Sequence, residues 1–166
     1  MVQTLTIKPG KVRRQQFDDV RFFGGTFQEI ENAFKAADYE PVLRKFLGVL
    51  EEAHREYFAR QAGPSGADWP DLAPATIVRK GHSRILFETG KLSGSLGGRS
   101  SGAVRETTHR GAIFGTSVPY SIFHQQARGF LFGGNLPQRE HVGMTEQTLD
   151  VLLQAVADQT VEFLKG

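Results

Sequence analysis

The clearest periodic pattern of hydrophobic and polar positions begins at Pro41 and predicts a long amphipathic helix. Its apolar residues recur at spacings of three and four, the period of a helix that buries one face. Pro41 suits a first turn, where its missing N–H is no loss, and the breakers Gly63-Pro64-Ser65-Gly66 end the pattern. The buried face is predicted to hold Leu43, Phe46, Leu47, Leu50, His54, Tyr57 and Phe58.

A second apolar stripe predicts a closing helix from about Thr145. It consists of Leu149, Leu152, Leu153, Val156, Thr160, Phe163 and Leu164. Shorter helices are predicted at 27–37, with Phe27, Ile30 and Phe34 on one face, at 74–80 before Gly81, and at 92–96.

Short β-prone runs predict a small sheet. One lies at Leu5-Thr6-Ile7-Lys8, and two more, at 103–108 and 112–116, flank a hairpin turn at His109-Arg110-Gly111. Residues 119–125 either continue this sheet or begin a short helix, and 126–138 form a long loop. The fold class is therefore α+β, with the long helix and the C-terminal helix packed on a small antiparallel sheet. We divide the chain into an N-terminal arm, 1–38, and a domain, 39–166.

Composition narrows the function classes. The 166 residues include 13 Phe, more than a core of this size needs, so some are expected at an interface. The absence of Cys excludes disulfides, thiolate metal sites and thiol catalysis. No run resembles a signal peptide or approaches the ~20 apolar residues of a membrane span. We expect a protein assembled in a cytoplasm without membrane contact.

The basic residues give a weaker signal. The net charge is only +2, and the basic side chains are scattered rather than gathered into the stripe typical of nucleic-acid binding. The densest group lies in the arm: Lys8, Lys11, Arg13, Arg14 and Arg21. A solvated arm is the favoured interpretation, and a nucleic-acid-binding module that uses this arm is the alternative.

No motif of catalysis or of cofactor binding is present. Gly90-Lys91 lacks the remainder of a phosphate loop, and Ser95 lacks the frame of a nucleophile elbow. None of the five histidines pairs at metal-ligand spacing; they are His54, His82, His109, His124 and His141. We predict no catalytic, cofactor or metal residue, and His124 is expected to be a hydrogen-bonded structural histidine. A metal-dependent hydrolase with a dispersed site remains the less favoured alternative.

Aromatic residues mark two special places. Trp69, the only Trp, is predicted to plug the core with its N–H bonded to a carbonyl, in preference to an interface role. Phe130 and Phe132 lie in a Gly-rich loop, where contact with another chain and packing onto the domain explain them equally well.

The order of several landmarks is more specific than any one of them. They run from Trp69-Pro70-Asp71-Leu72 through Thr76, Lys80, Ile85–Leu92 and Ser95 to Gly115-Thr116, Tyr120, His124-Gln125 and Pro137-Gln138-Arg139. Over roughly 41–164 this order resembles the phage virion morphogenesis family of tail-completion and head–tail joining (neck) proteins. The residues that carry the resemblance and are expected to be structural are Trp69, Leu72, Leu86, Thr89, Gly90, Leu92, Tyr120 and His124. One departure is Glu140-His141, where the family has apolar residues.

The resemblance implies a structural protein of the virion rather than an enzyme. It implies a ring, hexameric or dodecameric, that completes the tail and joins it to the head. The implied partners are copies of this chain and the adjacent neck, connector and tail proteins, with DNA met only in passage or weakly. The candidate contact residues are Phe22, Phe23, Phe130, Phe132, Pro137 and Arg139, of which Arg139 is expected to pair with a neighbour's acid.

Overall fold

The structure is a computed structural model that describes residues 3–7, 27–126 and 136–165. It confirms the predicted α+β class. The elements in chain order are β1 (Gln3–Ile7), α1 (Phe27–Ala36), α2 (Glu40–Arg60), α3 (Pro74–Lys80), α4 (Lys91–Leu96), β2 (Ala103–Thr108), β3 (Gly111–Thr116), α5 (Ser121–Gln125) and α6 (Glu146–Lys165).

Helix α2 is the helix that the apolar pattern predicts, and its buried residues are the seven predicted ones. Pro41 lies in its first turn. The helix ends at Gln61, which adopts a left-handed conformation with φ 55° and donates its N–H to the carbonyl of Tyr57. This cap closes the last turn and redirects the chain toward Trp69.

The sheet has three antiparallel strands in the order β1-β3-β2. The predicted hairpin is confirmed, but its turn is shorter than expected, because Gly111 already pairs with Thr108 and only His109 and Arg110 remain between the strands. Strand β1 pairs with β3 from Gln3 opposite Thr116 to Ile7 opposite Ala112. Part of the predicted N-terminal arm therefore belongs to the domain's sheet.

The core lies between α2 and one face of the sheet, closed by α4 and α6. Phe114 of β3 and Leu50 of α2 are both fully buried, as is Leu96 of α4. Each such side chain contributes roughly 1.5–3 kcal/mol by leaving water. The arrangement leaves α3 outside the core.

Helix α6 packs against α1 and α2, but its apolar stripe is only partly covered. Leu152 and Thr160 are buried, and the Thr160 hydroxyl shares a 2.8 Å hydrogen bond with that of Tyr39. Leu149 and Phe163, near the two ends of the stripe, remain 38% and 48% exposed. The stripe extends beyond the body it packs on, which the sequence period could not reveal.

The segment after β3 resolves the choice left open by the sequence. Residues Ser121–Gln125 form the helix α5 rather than a further strand. The β2–β3 register extends one pair past Thr116, since Ser117 donates its N–H to the carbonyl of Gly102. Two residues later comes Pro119, which has no N–H to continue a ladder, and the chain turns into α5.

Candidate functional site

The segment 70–90 carries α3 on the surface of the domain and contributes Ile85, near its second end, to the core. No side chain of α3 is buried, and Val78 is 83% exposed. A helix of seven residues without a buried face has almost no stability of its own. Its position must therefore come from the two ends of the segment, which we call the protrusion.

The first end of the protrusion is anchored by Trp69. The indole is 4% exposed and packs edge-on against Phe58, and its Nε1–H donates to the carbonyl of Glu140 at 2.7 Å. This confirms the predicted core plug with its bonded N–H. Arg139 adds a second link, because its guanidinium donates to the carbonyls of Pro70 and Asp71 at 2.8–3.0 Å.

The second end is anchored by a residue that the sequence analysis missed. The side-chain oxygen of Gln61 accepts the N–H of Ile85 at 2.6 Å, and its backbone carbonyl accepts the N–H of Trp69 at 2.8 Å. One residue at the end of α2 thus holds both ends of the protrusion. No periodicity marks a lone glutamine for this role.

Two left-handed residues shape the return of the protrusion. Leu86 has φ 51°, an unfavourable conformation for a residue with a Cβ, and its side chain packs against the core. Gly90 has φ 75°, and a Cβ there would lie 3.2 Å from the Phe87 ring. The glycine is therefore required by both conformation and space.

The remaining motif residues connect the protrusion to the sheet. Leu92 is 1% exposed and belongs to the core, and Leu72 is partly buried and packs against the core residues. Thr89 lies just before α4, and its hydroxyl accepts the N–H of Lys91 at 3.4 Å. In α4, Ser95 donates to the Leu92 carbonyl and accepts from the Thr116 hydroxyl at 2.7 Å.

A shallow cleft of about 250 Å³ lies beside the protrusion. Its lining residues are Lys80, Leu86, Phe87, Glu88, Thr89 and Tyr120. Tyr120 is 44% exposed. Burial lowers the pKa of Lys80, whose ammonium donates to the carbonyl of Arg84 at 2.7 Å. Four motif residues, Lys80, Leu86, Thr89 and Tyr120, therefore line one cleft of the surface.

Residues 136–143 form a hydrogen-bonded segment beside α5, which we call the stem. The carboxamide oxygen of Gln125 accepts the N–H groups of His141 and Val142, and its nitrogen donates to the Val142 carbonyl. The N–H of Arg139 donates to the carbonyl of His124. One side chain thus takes the place of a neighbouring strand for the stem.

The departure from the family pattern at 140–141 is accommodated inside this stem. His141 is fully buried; its Nδ1–H donates to the Arg139 carbonyl at 2.8 Å, and its Nε2 accepts from the Ser121 hydroxyl at 2.7 Å. Burial lowers the pKa of His141 to about 4. The imidazole is therefore neutral at pH 7.

His54 of α2 supports the stem from the opposite side. Its Nδ1–H donates to the Leu50 carbonyl at 2.6 Å, and its Nε2 accepts the N–H of Gly143 at 3.4 Å. Burial, with smaller contributions from the charges of Arg105 and His141, lowers the pKa of His54 to about 4. A proton on Nε2 would face the Gly143 N–H, so the structure requires the neutral ring.

One ring nitrogen of His124 is buried without a partner in the part of the chain that the structure describes, and the predicted structural role of this histidine stays a prediction. Among the described residues, its Nδ1 has no hydrogen-bond partner, because the stem uses the His124 carbonyl rather than its ring. Burial, followed by the charges of His141 and Arg139, lowers the pKa of His124 to about 4.

The hydrogen bond between Ser121 and His141 has the length expected of a nucleophile and its base. Both side chains are 0% exposed, so a substrate atom has no access to the serine oxygen. We interpret the pair as a structural link between α5 and the stem.

Arg105 is a second structural residue that the sequence analysis missed. Its guanidinium lies 3.9 Å from the centre of the Phe114 ring and pairs with Glu51 at 2.9 Å. It also donates to the carbonyls of Val104, Gly115, Ser95 and Leu96. A charged residue in a short strand, between Val104 and Glu106, gave no signal that it faces inward.

The predicted contact residues fall into two groups. Phe22, Phe23, Phe130 and Phe132 lie outside the described residues, as do the basic residues of the arm. Pro137 is half-buried in the stem. Arg139 is 4% exposed, and its guanidinium donates to the carbonyls of Pro70 and Asp71. Its pairing with a neighbour's acid stays a prediction.

Within residues 3–7, 27–126 and 136–165, no group of three or more His, Asp or Glu side chains is arranged to hold a metal ion. In the same part of the chain, no helix is long and apolar enough to span a membrane.

Comparison with known proteins supplies a family. A model of the phage virion morphogenesis family matches residues 19–160, which is most of the chain. The match begins within the segment that the sequence analysis set apart as an arm. No significant match is found among curated proteins or among solved structures.

Proposed function

Because this chain belongs to the phage virion morphogenesis family, we propose that it is a structural protein of the virion neck or tail end. In this proposal, copies of the chain form a ring that completes the tail and joins it to the head. Family membership itself establishes a role in virion morphogenesis. The ring, the neck position and the non-catalytic role are our proposal.

The observation that carries the proposal is the protrusion. It is held at both ends by buried anchors, while α3 within it contributes no side chain to the core. A rigidly presented element without an internal partner suits a building block that contacts its neighbours. A ring follows when one face of a subunit binds a different face of the next and the rotation closes.

The test is the mass of the purified protein in solution, alone and mixed with the adjacent neck and tail proteins. We expect a discrete hexamer or dodecamer. A chain that stays monomeric under both conditions would contradict the proposal. Labelling the protein in assembled virions, and locating the label at the neck by electron microscopy, tests its position separately.

The same measurement tests the predicted contact of the 126–138 loop. The double variant Phe130→Ser/Phe132→Ser is expected to lose the ring mass if these side chains bind a neighbouring subunit. The matched control is Phe123→Ser, which changes a phenylalanine that is 37% exposed on α5 and should leave the ring intact. An unchanged ring in the double variant would remove this loop from the contact.

A further inference from the structure

Two exposed surfaces of the chain each carry an exposed valine among charged residues, and the prevailing charge is opposite on the two. One lies on the protrusion, and we call it the basic face: Val78 of α3 is 83% exposed beside Arg79, and the exposed Arg84 follows four residues after the helix ends at Lys80. Within 74–91 there are four basic residues and one acidic residue. Its one ion pair among the described residues joins Arg79 to Glu88 at 3.2 Å, with both side chains about two-thirds exposed.

The second surface is the outer side of α6, which we call the acidic face. Glu146, Asp150, Asp158 and Glu162 follow one another at intervals of four and eight residues. At 3.6 residues per turn they spread over about 160° of the helix circumference, and all four are exposed. Val151, also on the solvent side, is 47% exposed. The described residues place one ion pair on this face, between Glu162 and Lys165 at 3.0 Å.

Each face is only partly neutralised within one chain. Arg79 pairs with Glu88 and Arg84 lies over the Phe87 ring at 3.5 Å, while on α6 Asp158 accepts from Gln154 and Glu162 pairs with Lys165. Like charges four residues apart destabilise a helix by roughly 0.2–0.5 kcal/mol per pair, and Glu146 and Asp150 form such a pair. The basic face has no core to pack on. Each face combines an exposed valine with an excess of charges of one sign, and the excess is opposite on the two faces.

We propose that the basic face of one copy binds the acidic face of the next copy, with Val78 near Val151 and the arginines opposite the carboxylates. The inference rests on the proposed ring and assigns its contact. The two faces are different surfaces of one chain, so their contact is heterologous, which is the type that closes into rings. Opposite charges set the orientation and speed the encounter of the two copies.

The experiment uses charge reversal on each face separately. The variant Arg79→Glu/Arg84→Glu carries two acidic faces, and the variant Asp150→Lys/Asp158→Lys carries two basic faces. Each alone is expected to raise the concentration for half-assembly by about tenfold or more, because repulsion replaces attraction. An equal mixture is expected to recover the ring, since every contact then joins opposite charges. Ring mass is measured under the condition in which the unmodified protein assembles, alone or with its neck and tail partners.

The control is Arg44→Glu/Lys45→Glu, which makes the same change in net charge at two exposed positions of α2 and should assemble normally. Circular dichroism verifies that each variant folds. If a reversal variant does not fold, the neutral variants Arg79→Gln/Arg84→Gln and Asp150→Asn/Asp158→Asn replace it and should weaken assembly in the same direction.

The outcomes separate this contact from the ring itself. If the unmodified protein never assembles, both proposals fail. If it assembles and either reversal variant assembles equally well, the ring stands and this contact is overturned. Failure of the equal mixture, when each variant alone also fails, overturns the contact in the same way.

Discussion

At Gln125, one carboxamide holds three backbone groups of the stem. Its oxygen accepts from His141 and Val142, and its nitrogen donates to the Val142 carbonyl, all within 3.1 Å. A side chain can replace a strand in this way only if its donor and acceptor both point along the partner backbone. The neighbouring Gln126 is exposed.

We expect Gln125→Ala to lower the free energy of unfolding by about 2–3 kcal/mol, because it leaves partly buried N–H and C=O groups without partners. Gln126→Ala is the control and should change it by less than about 0.5 kcal/mol. Urea titration of both variants measures the difference. Equal midpoints for the two would show that water replaces the carboxamide without loss.

Glycines give a prediction with opposite signs at two positions. Gly90→Ala should destabilise the protein by about 1–2 kcal/mol, because φ is 75° and the new Cβ would lie 3.2 Å from Phe87. Gly48→Ala should stabilise it by up to about 1 kcal/mol, because Gly48 lies inside α2 with nothing within 4 Å of a Cβ. Thermal melting of the two variants tests both signs.

At the scale of elements, Arg105 joins the sheet to two helices. It pairs with Glu51 of α2, donates to two carbonyls of α4 and covers Phe114 of β3. Since the side chain is 17% exposed, water cannot replace most of these contacts.

We expect Arg105→Met to lower the free energy of unfolding by about 3 kcal/mol, because it leaves Glu51 and several carbonyls without their donor. Arg44→Met is the control, because its ion pair with Glu40 is surface-exposed and contributes less than about 1 kcal/mol. Chemical denaturation of each variant supplies the values. A loss below 1 kcal/mol for Arg105→Met would indicate that the guanidinium contributes little to holding the elements together.

Elements with a regular apolar period could be predicted from the sequence. The buried face of α2 is the predicted one residue for residue, because a period of 3.6 is written directly in the chain. Trp69 could be assigned because a buried indole needs an acceptor. Gln61, Gln125 and Arg105 could not, since their roles depend on which distant carbonyls the fold brings near.

The apolar stripe of α6 shows a second limit of prediction from periodicity, because its pattern overestimates how much of the helix is buried. The stripe from Leu149 to Leu164 reads as one continuous buried surface, yet Phe163 near its end is 48% exposed. Periodicity locates the side of a helix that turns inward, but not the length of the body that covers it.

At the scale of the whole molecule, three buried histidines couple folding to pH. The pKa values of His54, His124 and His141 are lowered by burial from 6.5 to about 4. Above pH 6.5 these rings are neutral in both the folded and the unfolded chain, so they do not reduce the free energy of unfolding. As the pH falls toward 4, the unfolded chain binds protons that the folded chain does not, so stability is lost.

We therefore expect the free energy of unfolding to fall between pH 6.5 and 4, with up to about 1.4 kcal/mol per pH unit for each histidine. His141→Asn keeps a donor for the Arg139 carbonyl and should reduce the slope by removing one titrating group. His109→Gln, at an exposed position of the hairpin turn, should leave the slope unchanged. Urea midpoints across this pH range test the prediction, and a slope unaffected by His141→Asn would contradict it.

The single indole of the chain lies at the joint between the protrusion and the stem, with its N–H on Glu140 and its ring against Phe58. When the indole is excited selectively, apart from the three tyrosines, the colour of its emission reports the state of this joint. A red shift that precedes the loss of helical ellipticity during unfolding would mean that the protrusion detaches as a separate cooperative unit. A simultaneous change would mean that the anchor and the core unfold together.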